Sequence, residues 1–190
     1  MAAVKRPDLF RGLVLIEPSG ILSHQYFALQ LLPYTLRHRL GPVKNVSTRR
    51  DSWPDFDHVF NEFRAVPAYK RFSDDQLRQL LTAMTEVHED GLRLQFSLHW
   101  EAHNYVTPPR ILPTLKKLQV PTHVIVAKPS MFVNPQMLAD LRKARPDMPV
   151  THLPDHGHLL PLEAPQDAAK VTLQALRSLP LAEPSATNAA

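Results

Sequence analysis

Residues 155–165, with the sequence DHGHLLPLEAP, carry the clearest functional signal in this chain. They follow a short apolar segment at 149–153 and precede a helical pattern. His158 stands after a glycine in the turn that leaves this predicted strand, where an imidazole can titrate near neutral pH beside a substrate. Such a histidine needs a nucleophile to activate, yet the sequence has no G-x-S-x-G pattern, the sharp turn that presents a nucleophilic serine.

Two further apolar runs indicate strands that are buried on both faces of a parallel sheet. They are GLVLI at 12–16 and THVIVA at 122–127. Helical patterns are predicted at 111–118, 135–144 and 165–179, so helices and strands alternate along the second half of the chain. This alternation predicts an α/β fold with a parallel sheet and flanking helices, formed by residues 1–20 and 107–179.

The middle of the chain, residues 21–106, is predicted to be a mostly helical lid inserted into this core. We expect one helix over 22–40, a loop over 41–54, a short helix over 55–63, and a helix from Ser73 to about His88. Ser73 and Gln76 form a capping-box pattern, and Asp90-Gly91 supplies a turn. The tail at 180–190 is rich in alanine, proline and serine and is predicted to be disordered.

Three blocks, taken in order, resemble the C-terminal part of the α/β-hydrolase fold. RPDLFRGLVLIEP at 6–18 resembles the sixth strand of that family with the helix end before it, and LQVPTHVIVA at 118–127 resembles the seventh strand with its V-P-T lead-in. Residues 146–165 resemble the eighth strand and the turn that holds the catalytic histidine. The resemblance implies a Ser-His-acid hydrolase with an inserted helical lid, whose nucleophile and N-terminal half would precede Met1.

The same resemblance implies roles for individual residues. His158 matches the general base. The family's usual acid position, after the seventh strand, matches Ser130, which cannot carry a negative charge. Glu17, at the end of the sixth strand, is the alternative acid, because some branches, including certain haloalkane dehalogenases, take the acid from there. Ser19 lies in Pro18-Ser19-Gly20, which lacks the pattern of a nucleophile turn.

The expected activity is hydrolysis of an ester or related bond in a small apolar substrate through an acyl-enzyme, without cofactor or metal. Whether this chain alone is an enzyme is left open, because the nucleophile is absent from it. The alternative is a non-catalytic chain, truncated or completing its sheet with another polypeptide. The strand at 12–16 has nothing before it to pair with, so its edge predicts self-association or a partner chain.

Two other interpretations compete for particular residues. His152, His156 and His158 cluster, and His99 and His103 are spaced i, i+4, which is typical of metal ligands on a helix. The second pair does not form H-E-x-x-H, however, and neighbouring strand residues point to opposite faces.

An aromatic-rich segment lies within the predicted lid. Core packing is its default interpretation, and lining of an apolar substrate pocket is the alternative. Its members are Trp53, Phe56, Phe60, Phe63, Tyr69 and Phe72.

Composition excludes several classes of protein. The 190 residues include no cysteine, which rules out disulfides and a thiol nucleophile and is compatible with the cytoplasm, where we expect the protein. The net charge of +4 is distributed among acidic residues without a basic stripe, so nucleic-acid binding is not expected. No apolar run approaches 18 residues, so neither a membrane span nor a membrane partner is expected.

Overall fold

The computed structural model describes residues 1–18, 23–37, 39, 41–109, 111–127 and 134–181. The chain divides into two compact units. The first, the sheet unit, comprises Met1–Ser23 and Pro109–Ala190, and the second, the inserted unit, comprises His24–Pro108. That the inserted unit acts as a lid stays a prediction, and residues 182–190 of the predicted disordered tail lie outside the described residues.

The described residues form six strands and eleven α-helices. The strands are β1 Leu13–Ile16, β2 Ser52–Trp53, β3 Thr85–His88, β4 Gly91–Leu94, β5 Thr122–Ala127 and β6 Val150–Leu153. The helices are α1 Ala2–Lys5, α2 Ser23–Leu31, α3 Tyr34–Arg37, α4 Gly41–Ser47, α5 Phe56–Arg64, α6 Asp74–Met84, α7 Leu98–Val106, α8 Ile111–Lys116, α9 Pro135–Ala144, α10 Leu160–Glu163 and α11 Pro165–Ser178. None of these helices is both long enough and apolar enough to cross a bilayer.

The sheet unit contains a parallel sheet with strand order β1-β5-β6, which confirms the predicted α/β class. Every residue of β5 is buried, because this strand has a neighbour on each side and helices on both faces. The four residues of β1 are only half-buried, so the prediction that both of its faces are buried was wrong. Its position explains the difference, since among the described strands only β5 pairs with β1.

Alternate side chains of the strands pack into two separate cores, one on each face of the sheet. Leu13, Leu15 and Val124 face the core that is covered by α8 and α9, whereas Ile125 faces the core that is covered by α11. Val124 and Ile125 are fully buried, and full burial of such an aliphatic side chain contributes roughly 1.5–3 kcal/mol. The two cores therefore hold the sheet in the middle of the unit and fix the direction in which its strands end.

The inserted unit contains an antiparallel sheet of order β2-β4-β3 that the sequence analysis did not predict. The helix expected to reach His88 ends at Met84, because the chain turns at Asp90 and pairs β3 with β4. Gly91 is required at this turn, since its φ is +132° and a Cβ there would clash with the Trp53 carbonyl oxygen. The capping box of Ser73 and Gln76 is confirmed.

Two further predictions for this unit were wrong. The single helix over 22–40 is divided into α2 and α3, because Pro33 cannot donate the hydrogen bond that would continue the helix. The loop over 41–54 contains α4 and β2. Gly41 and Pro42 begin α4, since proline is well tolerated in the first helical turn.

Candidate active site

Three segments that are distant in sequence meet at the carboxyl end of the parallel sheet. Glu17 is the first residue after β1, Ala127 is the last residue of β5, and His158 lies in the turn that follows β6. Parallel strands all end at the same edge of a sheet, which brings groups from separate parts of the chain together. This edge is where open α/β sheets place their binding sites.

Glu17 and His158 form a direct pair. The Oε2 atom of Glu17 lies 2.9 Å from Nδ1 of His158, and the other carboxylate oxygen, Oε1, accepts the Ala127 N–H over 2.5 Å. The Glu17 side chain is 3% exposed, whereas the His158 side chain is 29% exposed. A buried carboxylate is costly unless its oxygens are hydrogen-bonded, and here each oxygen has a partner. The pair therefore places a buried acid behind a histidine that solvent can reach.

The backbone at Glu17 adopts a left-handed conformation, with φ at +47°. Few non-glycine residues occur there, and holding one costs on the order of 1–3 kcal/mol. Glu17 is the residue directly after β1, and its N–H still donates to the Ile125 carbonyl oxygen over 2.9 Å. Strain of this kind concentrates at functional sites, where the surrounding structure holds it in place.

The turn that carries His158 is built from local hydrogen bonds. The His156 N–H donates to the Leu153 carbonyl oxygen over 3.3 Å, which closes a β-turn with Pro154 at its second position. After His158, the Leu160 N–H donates to the Gly157 carbonyl oxygen over 3.2 Å, and α10 begins. These bonds fix the backbone on both sides of the imidazole.

The acceptor at Nδ1 determines which tautomer the neutral imidazole adopts. A carboxylate only accepts, so Nδ1 of His158 carries the proton and Nε2 is the basic nitrogen. The arrangement can therefore accept a proton at Nε2 and release it again.

The structure brings together the two residues predicted as base and acid, and their roles stay predictions. Ser130 and Ser19, the alternatives for acid and nucleophile, lie outside the described residues. His152 is exposed on β6. His156 lies 3.1 Å from Asp167, between Nε2 and Oδ2, and so has a different partner from His158. Within the described part of the chain, no three His, Asp or Glu side chains are arranged to hold a metal ion.

The candidates in the inserted unit contact other residues of that unit. On α7, Nδ1 of His103 lies 2.9 Å from the Tyr34 hydroxyl, and Trp100 packs against the same ring. The predicted aromatic cluster forms part of this unit's core, as its default interpretation has it. The rings of Trp53 and Phe63 are 5.9 Å apart, and both residues are almost fully buried.

Two contributors to the site were missed by the sequence analysis. They are the Ala127 N–H and the Glu163 carboxylate, which accepts the Gly157 N–H. A backbone amide carries no signal in a sequence. Glu163 stands five residues after His158, just before Ala164-Pro165, but its contact is visible only once α10 turns it back toward the turn.

Comparison of the sequence with protein-family models and with curated proteins gives no match. Solved structures do match. E-2-(acetamidomethylene)succinate hydrolase has a TM-score of 0.70 and 22% identity over 93% of this chain and 61% of that one. An esterase of Mycobacterium tuberculosis has a TM-score of 0.65 and 19% identity over 93% of this chain and 57% of that one. A peroxisomal α/β-hydrolase of Saccharomyces cerevisiae has a TM-score of 0.59 and 18% identity over 96% and 51%.

The matches cover nearly all of this chain but only part of each relative. The chain spans between 51% and 61% of the length of these three structures. The sheet unit has a parallel sheet flanked by helices. At identities below 25%, the likeness concerns the fold. The chain therefore has a partial α/β-hydrolase fold.

Proposed function

We propose that this chain supplies the base and the acid of a hydrolase that cleaves an ester or a related bond in a small apolar substrate. The observation that carries the proposal is the 2.9 Å contact between Glu17 and His158 at the carboxyl end of the sheet. The structural neighbours, an esterase and two other hydrolases, support the class of reaction. The nucleophile of the proposed enzyme is a serine that lies outside these 190 residues.

In the proposed reaction, Nε2 of His158 takes the proton of the serine hydroxyl as its oxygen attacks the carbonyl carbon of the substrate. Glu17 accepts the Nδ1–H and stabilises the imidazolium. His158 then gives its proton to the leaving alcohol as the acyl-enzyme forms. Water, deprotonated by the same nitrogen, hydrolyses the acyl-enzyme and regenerates the serine. The scheme requires neither a cofactor nor a metal.

The first test concerns the nucleophile. The coding DNA upstream of Met1 is read for an in-frame G-x-S-x-G, and the polypeptide that contains it is produced together with this chain. A fluorophosphonate probe labels an activated serine, and a p-nitrophenyl ester reports hydrolysis. We expect labelling and hydrolysis in the assembled protein, neither in the 190-residue chain alone, and loss of both in His158→Ala.

The matched control is His152→Ala, which removes an exposed histidine six residues earlier. We expect this variant to keep full activity, because His152 has no part in the proposed scheme. Hydrolysis that is equally fast in His158→Ala and in the unchanged protein contradicts the proposal. So does an assembled protein in which the probe labels no serine.

The edge of the parallel sheet at β1 supports a second candidate function. The Leu13 N–H donates to Pro121, directly before β5, and the Glu17 N–H donates to Ile125 of β5. The backbone groups of the alternating residues Val14 and Ile16 therefore point to the other side of β1. A cavity of about 220 Å³, lined by apolar residues including Val4, adjoins this strand. These features favour a non-catalytic chain whose sheet another polypeptide extends.

Val14→Pro tests this alternative, because proline removes an N–H that points away from β5 and so leaves that pairing intact. Light scattering during gel filtration measures the assembly. If strand addition is the function, the unchanged chain forms complexes or dimers that Val14→Pro dissociates while its circular dichroism is retained. A chain that is monomeric in both forms contradicts strand addition.

A further inference from the structure

Glu163 is a buried carboxylate that the proposed reaction does not use. It ends α10, five residues after His158, and is 8% exposed. Its Oε1 atom accepts the backbone N–H of Gly157, the residue directly before His158. Burial of a carboxylate is costly unless its oxygens are hydrogen-bonded, so a buried carboxylate at this contact calls for a physical explanation.

The contact joins the last residue of α10 to the turn that precedes this helix. Gly157 lies between the β-turn that ends at His156 and the helix that begins at Leu160. Leu160 is fully buried in the core beneath α11, so α10 is held firmly against the sheet unit. Glu163 thus connects this fixed helix to the peptide group between His156 and Gly157, one residue before the peptide bond that carries His158.

We propose that Glu163 is a positioning residue that directs the His158 imidazole toward Glu17 through the Gly157 N–H. Its catalytic meaning rests on the proposed function. The geometric effect does not, because the orientation of His158 is observable without turnover. With the Gly157 amide held, Nδ1 of His158 stays within reach of Glu17 and carries the proton.

A second carboxylate that bonds to this turn provides a control. Asp167, on α11, lies 3.1 Å from His156 but bonds to the side chain and not to the backbone next to His158. If any bond to this turn were sufficient, loss of Asp167 and loss of Glu163 would affect His158 alike. If the Gly157 N–H directs the imidazole, only loss of Glu163 changes the tautomer of His158.

The experiment measures the tautomer of neutral His158 by long-range ¹H–¹⁵N NMR in the full 190-residue chain, with His158→Gln to assign the signal. We expect the Nδ1–H tautomer in the unchanged chain, in Glu163→Gln, which retains an acceptor oxygen, and in Asp167→Ala. In Glu163→Ala we expect a shift toward the Nε2–H form and exchange of the Gly157 amide that is about tenfold faster.

A Glu163→Ala variant that keeps the Nδ1–H tautomer and a folded backbone spectrum overturns the proposal. If that variant does not fold, Glu163→Asp decides, because its carboxylate is one methylene too short to reach Gly157; full retention of the Nδ1–H tautomer then overturns it. Failure of the proposed function is distinguishable. An assembled protein without esterase activity refutes the function, while the tautomer of His158 still tests the positioning role.

Discussion

The two ends of the parallel sheet each hold a histidine, and the partners of the two rings differ. At the carboxyl end, His158 meets the carboxylate of Glu17. At the amino end, Nε2 of His123 lies 2.8 Å from the Thr151 hydroxyl, and Nδ1 lies 3.3 Å from the Ser178 hydroxyl. One imidazole has a negatively charged partner, whereas the described partners of the other are hydroxyl groups.

The partners determine what each ring can do. The Ser178 hydroxyl donates to the Ala175 carbonyl oxygen, so it accepts the Nδ1–H of His123, and the Thr151 hydroxyl donates to Nε2. His123 is therefore held neutral, and its burial lowers its pKa. A carboxylate partner stabilises a positive ring, and paired hydroxyls stabilise a neutral one. The same residue type thus suits proton transfer at one end and structural bonding at the other.

The largest effect is expected from a substitution that breaks the pair of Glu17 and His158 at the carboxyl end. Glu17→Gln keeps the size of the side chain but removes the charge that stabilises the imidazolium, so we expect turnover of the assembled hydrolase to fall by about 10⁴-fold. Initial rates with a p-nitrophenyl ester measure it. His123→Gln, at the amino end, is expected to leave turnover unchanged. A Glu17→Gln enzyme that retains at least a tenth of the rate contradicts the role of Glu17.

A smaller effect removes the support beneath the carboxyl-end turn. Leu160 is fully buried, and Leu160→Ala leaves a cavity that lowers the free energy of unfolding by about 2–5 kcal/mol. Urea denaturation followed by circular dichroism measures the change. Leu162, on the same helix, is 48% exposed, and Leu162→Ala is expected to change stability by no more than about 0.5 kcal/mol. Equal losses in the two variants would show that α10 is not anchored as described.

At the amino end, Thr151→Val keeps the shape of the side chain but removes the hydroxyl that donates to His123. We expect the free energy of unfolding to fall by about 1 kcal/mol, because the buried Nε2 acceptor loses its partner. Thermal denaturation measures it. Thr82→Val, which removes an exposed hydroxyl bonded within a helix, is the control and is expected to cost less. An unchanged melting temperature for Thr151→Val contradicts the bonding assigned to His123.

The smallest expected effect is a pH dependence from the same ring. Burial lowers the pKa of His123 below its ordinary value of 6.5, so the unfolded chain binds this proton more readily than the folded chain does. The contribution of His123 to stability is complete above pH 6.5 and declines as the pH falls through 6.5 toward the folded-state pKa. Its slope is at most about 1.4 kcal/mol per pH unit, the limit for one proton.

The measurement is the free energy of unfolding between pH 8 and pH 5, in the unchanged chain and in His123→Gln. The difference between the two curves isolates His123 from the other titrating groups. We expect the unchanged chain to lose more stability on acidification than the variant does. Parallel curves would show that the ring does not titrate between the folded and unfolded states as burial requires.

The sequence allowed prediction of the sheet unit in considerable detail, because its signals are local. Four of the six residues of THVIVA are apolar, as is typical of a central parallel strand, and β5 and α9 have the predicted bounds. The pairing of Glu17 with His158 was also predicted, from the resemblance to α/β-hydrolase branches that take the acid from the end of the sixth strand. The contact of Glu163 with Gly157 was not, because it depends on how a short helix folds back.

Prediction was weaker in the inserted unit, where local and tertiary preferences conflict. Residues 85–88 continue a helical pattern and carry two charged or titratable side chains, Glu86 and His88. They form a strand because β4 is available to pair with them across the turn at Asp90. Nothing in residues 85–88 alone announces this partner.

At position 17, the left-handed backbone and the contact with His158 favour different side chains. Aspartate and asparagine adopt this conformation more readily than glutamate does, so each would relieve torsional strain. Aspartate, however, is one methylene shorter, and asparagine carries no charge. A library with every amino acid at position 17 would therefore give different variants under different selections. Selection for thermal stability would favour the shorter side chains, whereas selection for turnover would retain glutamate.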